Sequence, residues 1–179
     1  DCLLSRGLGD VYKRQFLILT QQKELYVLHS ASFLYRGRAF LVSGSSGTGK
    51  STHSALWHDL YQTPLLNGDL NLLGIRNSIP YAYGLPWCGT SGICTPKDYP
   101  LGGIIFLKQA AIDQVQSLQP DEKVLHILQR MISPAWTKEL LLRNLHFSEA
   151  LAPLIFSCRL YCTKEPSAAR TLKAAIDAL

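Results

Sequence analysis

The chain has 179 residues, of which 47% are hydrophobic and 17% are charged, a composition typical of one globular domain with a sizeable core. Its net charge of +5 comes from basic residues scattered along the sequence, which favours an anionic ligand or an acidic partner and argues against nucleic-acid binding. No apolar run approaches the roughly 20 residues of a membrane-spanning helix, so we expect no membrane association.

The cysteine content favours a reducing compartment. The chain has five cysteines, an odd number, and no two of them form a Cys-x-x-Cys pair. This spacing argues against a zinc site and against a disulfide framework, so we expect a cytoplasmic protein. The five residues are Cys2, Cys88, Cys94, Cys158 and Cys162.

The first fifteen residues differ in pattern from the remainder. Residues 1–15 have the period of neither a strand nor a helix, and they lack the continuous apolar core of a signal peptide. They are similar to translated sequencing-adapter material. We therefore expect a non-native or disordered leader over residues 1–15, and a single domain over residues 16–179 whose native N-terminal part lies upstream.

A β-hairpin is predicted next. Residues 24–35 are rich in β-branched, aromatic and leucine side chains, and the sequence Arg36-Gly37-Arg38 suits a tight turn into a second strand over residues 39–43. The strand that leads into a phosphate-binding loop has no antiparallel partner before it in simple doubly wound nucleotide kinases. The hairpin therefore indicates a different architecture.

The second strand leads into a glycine-rich loop that is typical of phosphate binding. The motif Gly-x-x-x-x-Gly-Lys-Ser spans residues 44–51 and opens a predicted helix. Glycines let successive N–H groups approach phosphate oxygens, and the positive end of the helix adds to the attraction. We expect Lys50 to reach the β- and γ-phosphates of ATP and Ser51 to hold Mg²⁺; the alternative is a glycine-rich turn without a ligand. The predicted nucleotide-binding residues are Gly44, Ser45, Ser46, Gly47, Thr48, Gly49, Lys50, Ser51 and Thr52.

The helix after the loop is predicted over residues 50–60. His53 and His58 are expected on its solvated face, although His53 could instead face the nucleotide. The residues expected to be buried are Ala55, Leu56, Trp57 and Leu60.

The remaining pattern predicts an α/β fold, a mixed β-sheet with flanking helices. Residues 84–100 form a long irregular segment, which is usually functional in a compact domain. Further strands are predicted over residues 64–66, 70–75, 79–83, 103–108, 115–118 and 155–161, and helices over residues 121–131, 137–151 and 167–179. The inward positions of two of these helices are predicted to be Val124, Leu125, Leu128 and Met131, and Leu172, Ile176 and Leu179.

The chain resembles the catalytic domain of HPr kinase/phosphorylase, a family that shares its nucleotide-binding fold with ATP-dependent phosphoenolpyruvate carboxykinase. The shared features are His29 within Leu-His-Ser-Ala, the P-loop that contains Lys50, and an acidic strand end near Asp69. The chain is more similar to short HPr-kinase-like relatives, whose motifs include Gly-Lys-Ser-Thr-His-x-x-Leu-Trp, Asn-Gly-Asp and Pro-Trp-x-Gly. The matching segments are residues 49–57, 67–69 and 86–89, and the resemblance extends over residues 24–179.

This resemblance implies roles for two further residues. Asp69 would assist the metal ion or accept the proton of an attacking hydroxyl, and His29 would lie near the transferred phosphate. Phosphoryl transfer needs mainly positioning and charge neutralisation, which agrees with these roles. The alternatives are that Asp69 caps the turn at Asn67-Gly68 and that His29 is a buried strand histidine with its hydrogen bonds satisfied.

The chain also departs from true HPr kinases. It carries Asn67-Gly68-Asp69 where they have two adjacent aspartates, and it lacks their Glu-x-Arg-Gly-Leu-Gly signature, so we expect an acceptor other than HPr. Trp87 and Cys88 are expected either to form a wall for the acceptor or for adenine, or to pin the long loop to the domain. A cation for the transferred phosphate could come from Lys108, Arg143 or Arg159.

The expected function is that of an ATP- and Mg²⁺-dependent kinase that phosphorylates a hydroxyl, with serine or threonine of a protein or peptide as the acceptor. Two alternatives stay open. One is a small-metabolite kinase, and the other is a non-catalytic ATP-binding module in regulation or peptide maturation. The resemblance also makes a homo-oligomer possible.

Overall fold

A computed structural model describes residues 2–85 and 92–179, with side chains from residue 11 onward. The motif at residues 86–89, with Trp87 and Cys88, lies outside the described residues. The helices are α1 Cys2–Gln22, α2 Lys50–Tyr61, α3 Pro120–Arg130, α4 Lys138–Leu151 and α5 Pro166–Asp177, with a 3₁₀ turn at Ala152–Leu154. The strands are β1 Tyr26–Tyr35, β2 Arg38–Ser43, β3 Leu65–Asn67, β4 Leu70–Arg76, β5 Ile79–Tyr83, β6 Tyr99–Gln109, β7 Gln114–Ser117 and β8 Phe156–Cys162.

Two long strands, β1 and β6, each take part in two sheets. The first half of β1 pairs with β4, which continues antiparallel through β5 to the start of β6. The second half of β1 lies between β3 and β2, and the sheet continues through β6 and β8 to β7. The predicted mixed sheet with flanking helices is confirmed, and so is the hairpin of β1 and β2.

The hairpin turn has the backbone conformation that its sequence requires. Arg36 and Gly37 have φ angles of 49° and 73°. Positive φ at both central residues gives a two-residue turn the same twist as the strands that it joins. The register then runs from the Tyr35–Arg38 pair to the Ser30–Ser43 pair.

Three parallel strands end at the same edge of the sheet. β2, β6 and β8 run in the same direction, and their registers pair Ser43 with Phe106 and Gln109 with Cys162. Because β2 is followed by the glycine-rich loop, this loop lies at the edge where open α/β sheets bind ligands.

Helices cover both faces of these parallel strands. On one face, α2 and α5 pack around Trp57 and Leu172. On the other face, α3 and α4 pack around Ile127 and Phe147. Strand β6 is apolar on both sides, as a strand between two helical layers must be.

Helix α1 runs through the stretch that was expected to be a disordered leader. Its last turns are held by tertiary contacts: Gln21 is fully buried, and its amide Nε2 donates to the Asn144 Oδ1 atom over 2.7 Å. Phe16 and Leu17 pack against the apolar group that contains Val27. A helix fixed by a buried amide needs no clear hydrophobic period, which explains why the sequence pattern missed it. The division at residue 15 stays a prediction.

Several predicted buried positions are wrong. In α2 the buried residues are His53, Ser54 and Trp57, and the predicted Ala55, Leu56 and Leu60 are only partly buried. Leu125 in α3 and Leu179 after α5 are exposed. Hydrophobic spacing predicts that a helix forms, but which face of the helix is buried depends on the layers that it packs between.

The expectation for the cysteines also fails at one position. Cys94 is disulfide-bonded, whereas Cys158 and Cys162 are free and buried. Disulfides are rare in the cytoplasm, so this bond argues against the cytoplasmic location expected from the cysteine spacing. That location stays a prediction. In the described part of the chain, no helix has both the length and the apolar character to cross a membrane.

Trp57 anchors α2 to the sheet, and its removal should destabilise the domain. Its side chain is fully buried and stacks on Phe33 with 4.3 Å between ring centroids. We expect Trp57→Ala to lower the free energy of unfolding by about 3–5 kcal/mol, because the cavity cannot collapse between two layers. Equilibrium urea unfolding followed by circular dichroism measures the change. The exposed Asp59→Ala on the same helix is the control, with an expected change below about 0.5 kcal/mol. Equal losses in the two variants would contradict the anchoring role.

Candidate functional site

The three glycines of the loop are explained by two different structural reasons. Gly47 and Gly49 have φ angles of 77° and 99°, which other residues rarely adopt. Gly44 has no such angle, but a Cβ atom there would lie 2.6 Å from the Thr48 Oγ1 atom. Gly44 is therefore required by close packing inside the loop, and the other two by backbone conformation.

The loop presents main-chain donors to solvent. Gly49 is the N-cap residue of helix α2 and provides no side-chain cap for the N–H groups of the first turn. Within the described residues, the N–H groups of Ser46 and Gly47 also have no hydrogen-bond acceptor. The exposed residues of the predicted nucleotide-binding segment are Ser45, Ser46, Gly47, Ser51 and Thr52. Unpaired donors at a helix N-terminus form an environment suited to an anion.

Lys50 lies over the start of the loop. Its Nζ atom donates to the carbonyl oxygens of Gly44, over 3.3 Å, and Ser45, over 3.2 Å. Partial burial lowers the pKa of Lys50, and the nearby Arg130 lowers it further, while Asp69 acts in the opposite direction. The ammonium group is therefore close to both a second cation and a carboxylate.

Asn67 holds the turn that carries Asp69. The Asn67 Oδ1 atom accepts hydrogen bonds from the N–H groups of Asp69, over 3.0 Å, and Leu70, over 3.1 Å. The alternative that Asp69 caps this turn is therefore wrong, because Asn67 supplies the side-chain acceptor. The carboxylate of Asp69 is therefore not used for this cap.

His29 and Asp69 form a pair beside Lys50. The His29 Nε2 atom lies 3.4 Å from the Asp69 Oδ1 atom, and the two side chains are 35% and 43% exposed. Burial lowers the pKa of His29, Lys50 and Arg130 lower it further, and Asp69 partly opposes them. His29 is thus a partly exposed imidazole with a lowered pKa and not the buried histidine of the alternative interpretation.

A buried polar network holds this pair in place. The Asn71 amide donates to the Ser30 carbonyl oxygen, over 2.7 Å, and the Ser32 hydroxyl donates to the Asn71 Oδ1 atom, over 2.7 Å. Ser32 Oγ also accepts a hydrogen bond from the Asn67 N–H group, and Ser43 Oγ donates to the His29 carbonyl oxygen. These bonds fix β1 and the Asn67 turn relative to each other.

The structure brings in a cation that the sequence analysis missed. The Arg130 Nη2 atom lies 3.3 Å from the Ser45 Oγ atom, and the charge of Arg130 affects the pKa of both His29 and Lys50. Arg130 ends α3, and the next two residues run along β1, where Met131 bridges to Leu28. No local motif marks this arginine, because a contact across the fold places it.

The three cations proposed from the sequence have contacts elsewhere. Lys108 lies over the Tyr161 ring, Arg143 pairs with Glu139, and Arg159 contacts His126 and Gln116. The side chain of Gln109, in contrast, reaches the loop, where its amide donates to the Gly47 carbonyl oxygen over 3.1 Å.

The chemistry of two residues suits Mg²⁺. This ion prefers oxygen ligands, usually one or two carboxylates together with phosphate oxygens and water. The Ser51 hydroxyl is exposed and the Asp69 carboxylate is partly exposed. Among the described residues, no group of three or more histidine, cysteine, aspartate or glutamate side chains could hold a metal ion. Ser51 and Asp69 could therefore serve a magnesium ion that also binds phosphate oxygens.

Comparison with known proteins gives little further information. No protein-family model matches the sequence, and no curated protein matches it. Among solved structures, the Hpr(Ser) kinase/phosphatase from Coxiella burnetii is similar, with 9% sequence identity and a TM-score of 0.44. The similarity covers 85% of this chain and 93% of that one. We base no assignment on a likeness at this level.

The charges around His29 predict how its pKa responds to substitution. We expect nuclear magnetic resonance titration to give a pKa below 6.5 for this imidazole. Lys50→Ala should raise the pKa because it removes a repelling cation, and Asp69→Asn should lower it because it removes an attracting carboxylate. The His29→Gln variant assigns the signal. An unchanged pKa in both variants would contradict the proximity of these groups.

Proposed function

We propose that the protein is an ATP- and Mg²⁺-dependent kinase that transfers the γ-phosphate to the hydroxyl of serine or threonine in a protein or peptide. The proposal rests on one observation: the side chains of Lys50 and Arg130 and the His29–Asp69 pair converge beside an exposed glycine-rich loop. Two cations and one carboxylate next to open main-chain donors suit phosphoryl transfer, which depends on positioning and charge neutralisation.

The role of each residue in phosphoryl transfer follows from its charge. The loop N–H groups and Lys50 hold the polyphosphate, and Arg130 stabilises the charge that develops on the transferred group. The Asp69 carboxylate orients the acceptor hydroxyl and takes its proton, and the His29 imidazole donates a hydrogen bond that keeps this carboxylate in position. When bound at Ser51 and Asp69, Mg²⁺ supplies further charge neutralisation at the phosphate oxygens.

The exposure of the His29–Asp69 pair supports an acceptor that belongs to a macromolecule. Both side chains are reached from solvent, so a hydroxyl on a peptide segment can approach without being enclosed. The resemblance noted in the sequence favours the same acceptor class over a small metabolite.

A second function, a non-catalytic ATP-binding module, is favoured by a specific observation. Among the described residues, Asp69 is the one carboxylate that affects the pKa of either His29 or Lys50. A site with a single carboxylate has less capacity to hold the metal and take a proton at the same time.

Two substitutions separate binding from transfer. Lys50→Ala should weaken ATP binding at least about tenfold, because charge-assisted bonds to phosphate contribute about 1.5–3 kcal/mol. Asp69→Asn should leave ATP binding within a few fold and lower the transfer rate about 10²–10⁴-fold, the usual contribution of a general base. Calorimetry measures binding, and labelled ATP with Mg²⁺ and an array of serine- and threonine-containing peptides measures transfer.

The outcomes of this experiment distinguish the functions. ATP binding without transfer to any acceptor, unchanged by Asp69→Asn, would favour the non-catalytic module. Transfer to a small hydroxyl compound and not to peptides would favour a metabolite kinase. A protein that fails to bind ATP in the presence of Mg²⁺ would contradict all three functions.

Arg130 should act on the transferred phosphate more than on ATP binding. We expect Arg130→Gln to lower kcat by at least about tenfold, because a cation aimed at developing charge contributes mainly in the transition state. Arg130→Lys should recover part of the rate, since it keeps the charge but loses the planar fork. The control is Arg143→Gln, whose side chain pairs with Glu139 on the surface. Equal effects of Arg130→Gln and Arg143→Gln on kcat would refute this role.

A further inference from the structure

A second cavity lies between α4 and the first residues of β1, and its volume is about 300 Å³. Its apolar wall is formed by Ile75 and by the rings of Tyr26 and Phe147, which stack with 4.1 Å between their centroids. Its charged wall includes Glu24 and Arg143. This volume is at the lower end of the range for small-molecule pockets, about 300–1,000 Å³, so the cavity suits a small ligand with both polar and apolar parts.

Glu24 occupies a position at which glycine is usual. The Leu25 N–H group donates to the Thr20 carbonyl oxygen, over 2.9 Å, and the Glu24 N–H group donates to the Gln21 carbonyl oxygen, over 3.1 Å. These two bonds form the Schellman motif that ends α1, and they place Glu24 at its left-handed position, with a φ angle of 59°. A residue that departs from the local backbone preference indicates a role for its side chain, because such departures concentrate at functional sites.

The turn that carries Glu24 is packed directly against the sheet. A Cβ atom on Gly74 of β4 would lie 2.6 Å from the Leu25 Cδ2 atom, so glycine is required there for the turn to approach. The side chain of Glu24 is exposed, and within the described residues its carboxylate forms no ion pair. The backbone of the turn is therefore fixed, while the carboxylate stays available to a ligand.

Arg143 supplies the opposite charge on the same cavity. Its Nη2 atom bonds to the Glu139 Oε1 atom over 3.0 Å, and a guanidinium has further N–H groups to donate. Burial raises the pKa of Tyr26, Glu24 raises it further, and Arg143 acts in the opposite direction, so both charges flank the phenol. Glu24 and Arg143 form no ion pair with each other in the described structure, which leaves the space between them open.

We propose that this cavity binds a free α-amino acid with a large apolar side chain. The ammonium group of the ligand pairs with the Glu24 carboxylate, and its carboxylate pairs with the Arg143 guanidinium. The apolar side chain lies against Ile75 and the stacked rings of Tyr26 and Phe147. A small zwitterion satisfies both charged residues at once, which neither a simple anion nor a simple cation can do. The inference does not depend on the proposed function, because the cavity is separate from the glycine-rich loop.

Titration with L-phenylalanine, followed by nuclear magnetic resonance, tests the site. We expect a Kd below about 1 mM and shifts of the ring signals of Tyr26 and His146, which both line the cavity. L-phenylalaninamide lacks the carboxylate and N-acetyl-L-phenylalanine lacks the ammonium group. Each should bind at least about tenfold more weakly, because each loses one charge-assisted contact. Free glycine should also bind at least about tenfold more weakly, since it has no side chain to bury.

Variants of Glu24 distinguish ligand binding from a structural role. Glu24→Gly should raise the midpoint of urea unfolding, because it relieves the left-handed backbone, and should weaken L-phenylalanine binding at least about tenfold. Glu24→Gln keeps the size of the side chain and should remove the preference for L-phenylalanine over its N-acetyl form. The matched control is Glu139→Gln, which removes the carboxylate bonded to Arg143 outside the cavity lining and should not weaken binding.

The results decide as follows. Absence of L-phenylalanine binding, or equal affinities for L-phenylalanine, its amide and its N-acetyl form, would overturn the site. Wild-type affinity in Glu24→Gly would overturn it as well, whatever the change in stability. Equal losses of affinity in Glu24→Gln and Glu139→Gln would assign the effect to net charge and reject the site. A protein that binds L-phenylalanine but not ATP would retain this site and lose the proposed kinase function.

Discussion

A buried hydrogen-bond network around Asn71 is the constraint on which the site depends. β1 leaves one sheet at His29 and enters the other at Ser30. The Asn71 side-chain amide donates to Ser30 and its oxygen accepts from Ser32, so that the second half of β1 is also tied to β4, with which the first half pairs. Because buried polar groups are costly to leave unpaired, the network fixes a single geometry for the crossing. His29 then emerges beside the loop that follows β2.

The electrostatics of the site follow from this geometry. Lys50 and Arg130 lie close enough to lower the pKa of His29, and one carboxylate, Asp69, offsets them. Two cations held near each other without full compensation form a region of positive potential, which strengthens when an anion displaces water from it. The same arrangement explains why the pKa of His29 is lowered although a carboxylate stands beside it. The loop amides add donors without adding a titratable group.

The candidate site was predictable where its residues are local in sequence. The segment from Gly44 to Thr52 was recognised because glycine positions, a lysine and a helix start occur together within one short stretch. Asp69 was expected from the family resemblance of the Asn-Gly-Asp motif, and Asn67 holds that turn. Arg130 could not be predicted, because the end of α3 is brought beside the loop by contacts with β1 such as the bridge of Met131 to Leu28. His53 was expected on a solvated face and is buried, since α2 packs between the sheet and α5.

The sequence by itself determined the element types apart from α1, the hairpin ahead of the loop, and the need for glycine at residues 47 and 49, because these depend on turn chemistry, glycine and hydrophobic period within a few residues. Only the tertiary structure decided which face of each helix is buried and which cation stands beside Lys50. It also decided that β1 and β6 each take part in two sheets. Those features depend on contacts between segments far apart in the chain. A side chain such as Gln21, which fixes α1 by bonds to α4, has no local signal of its role.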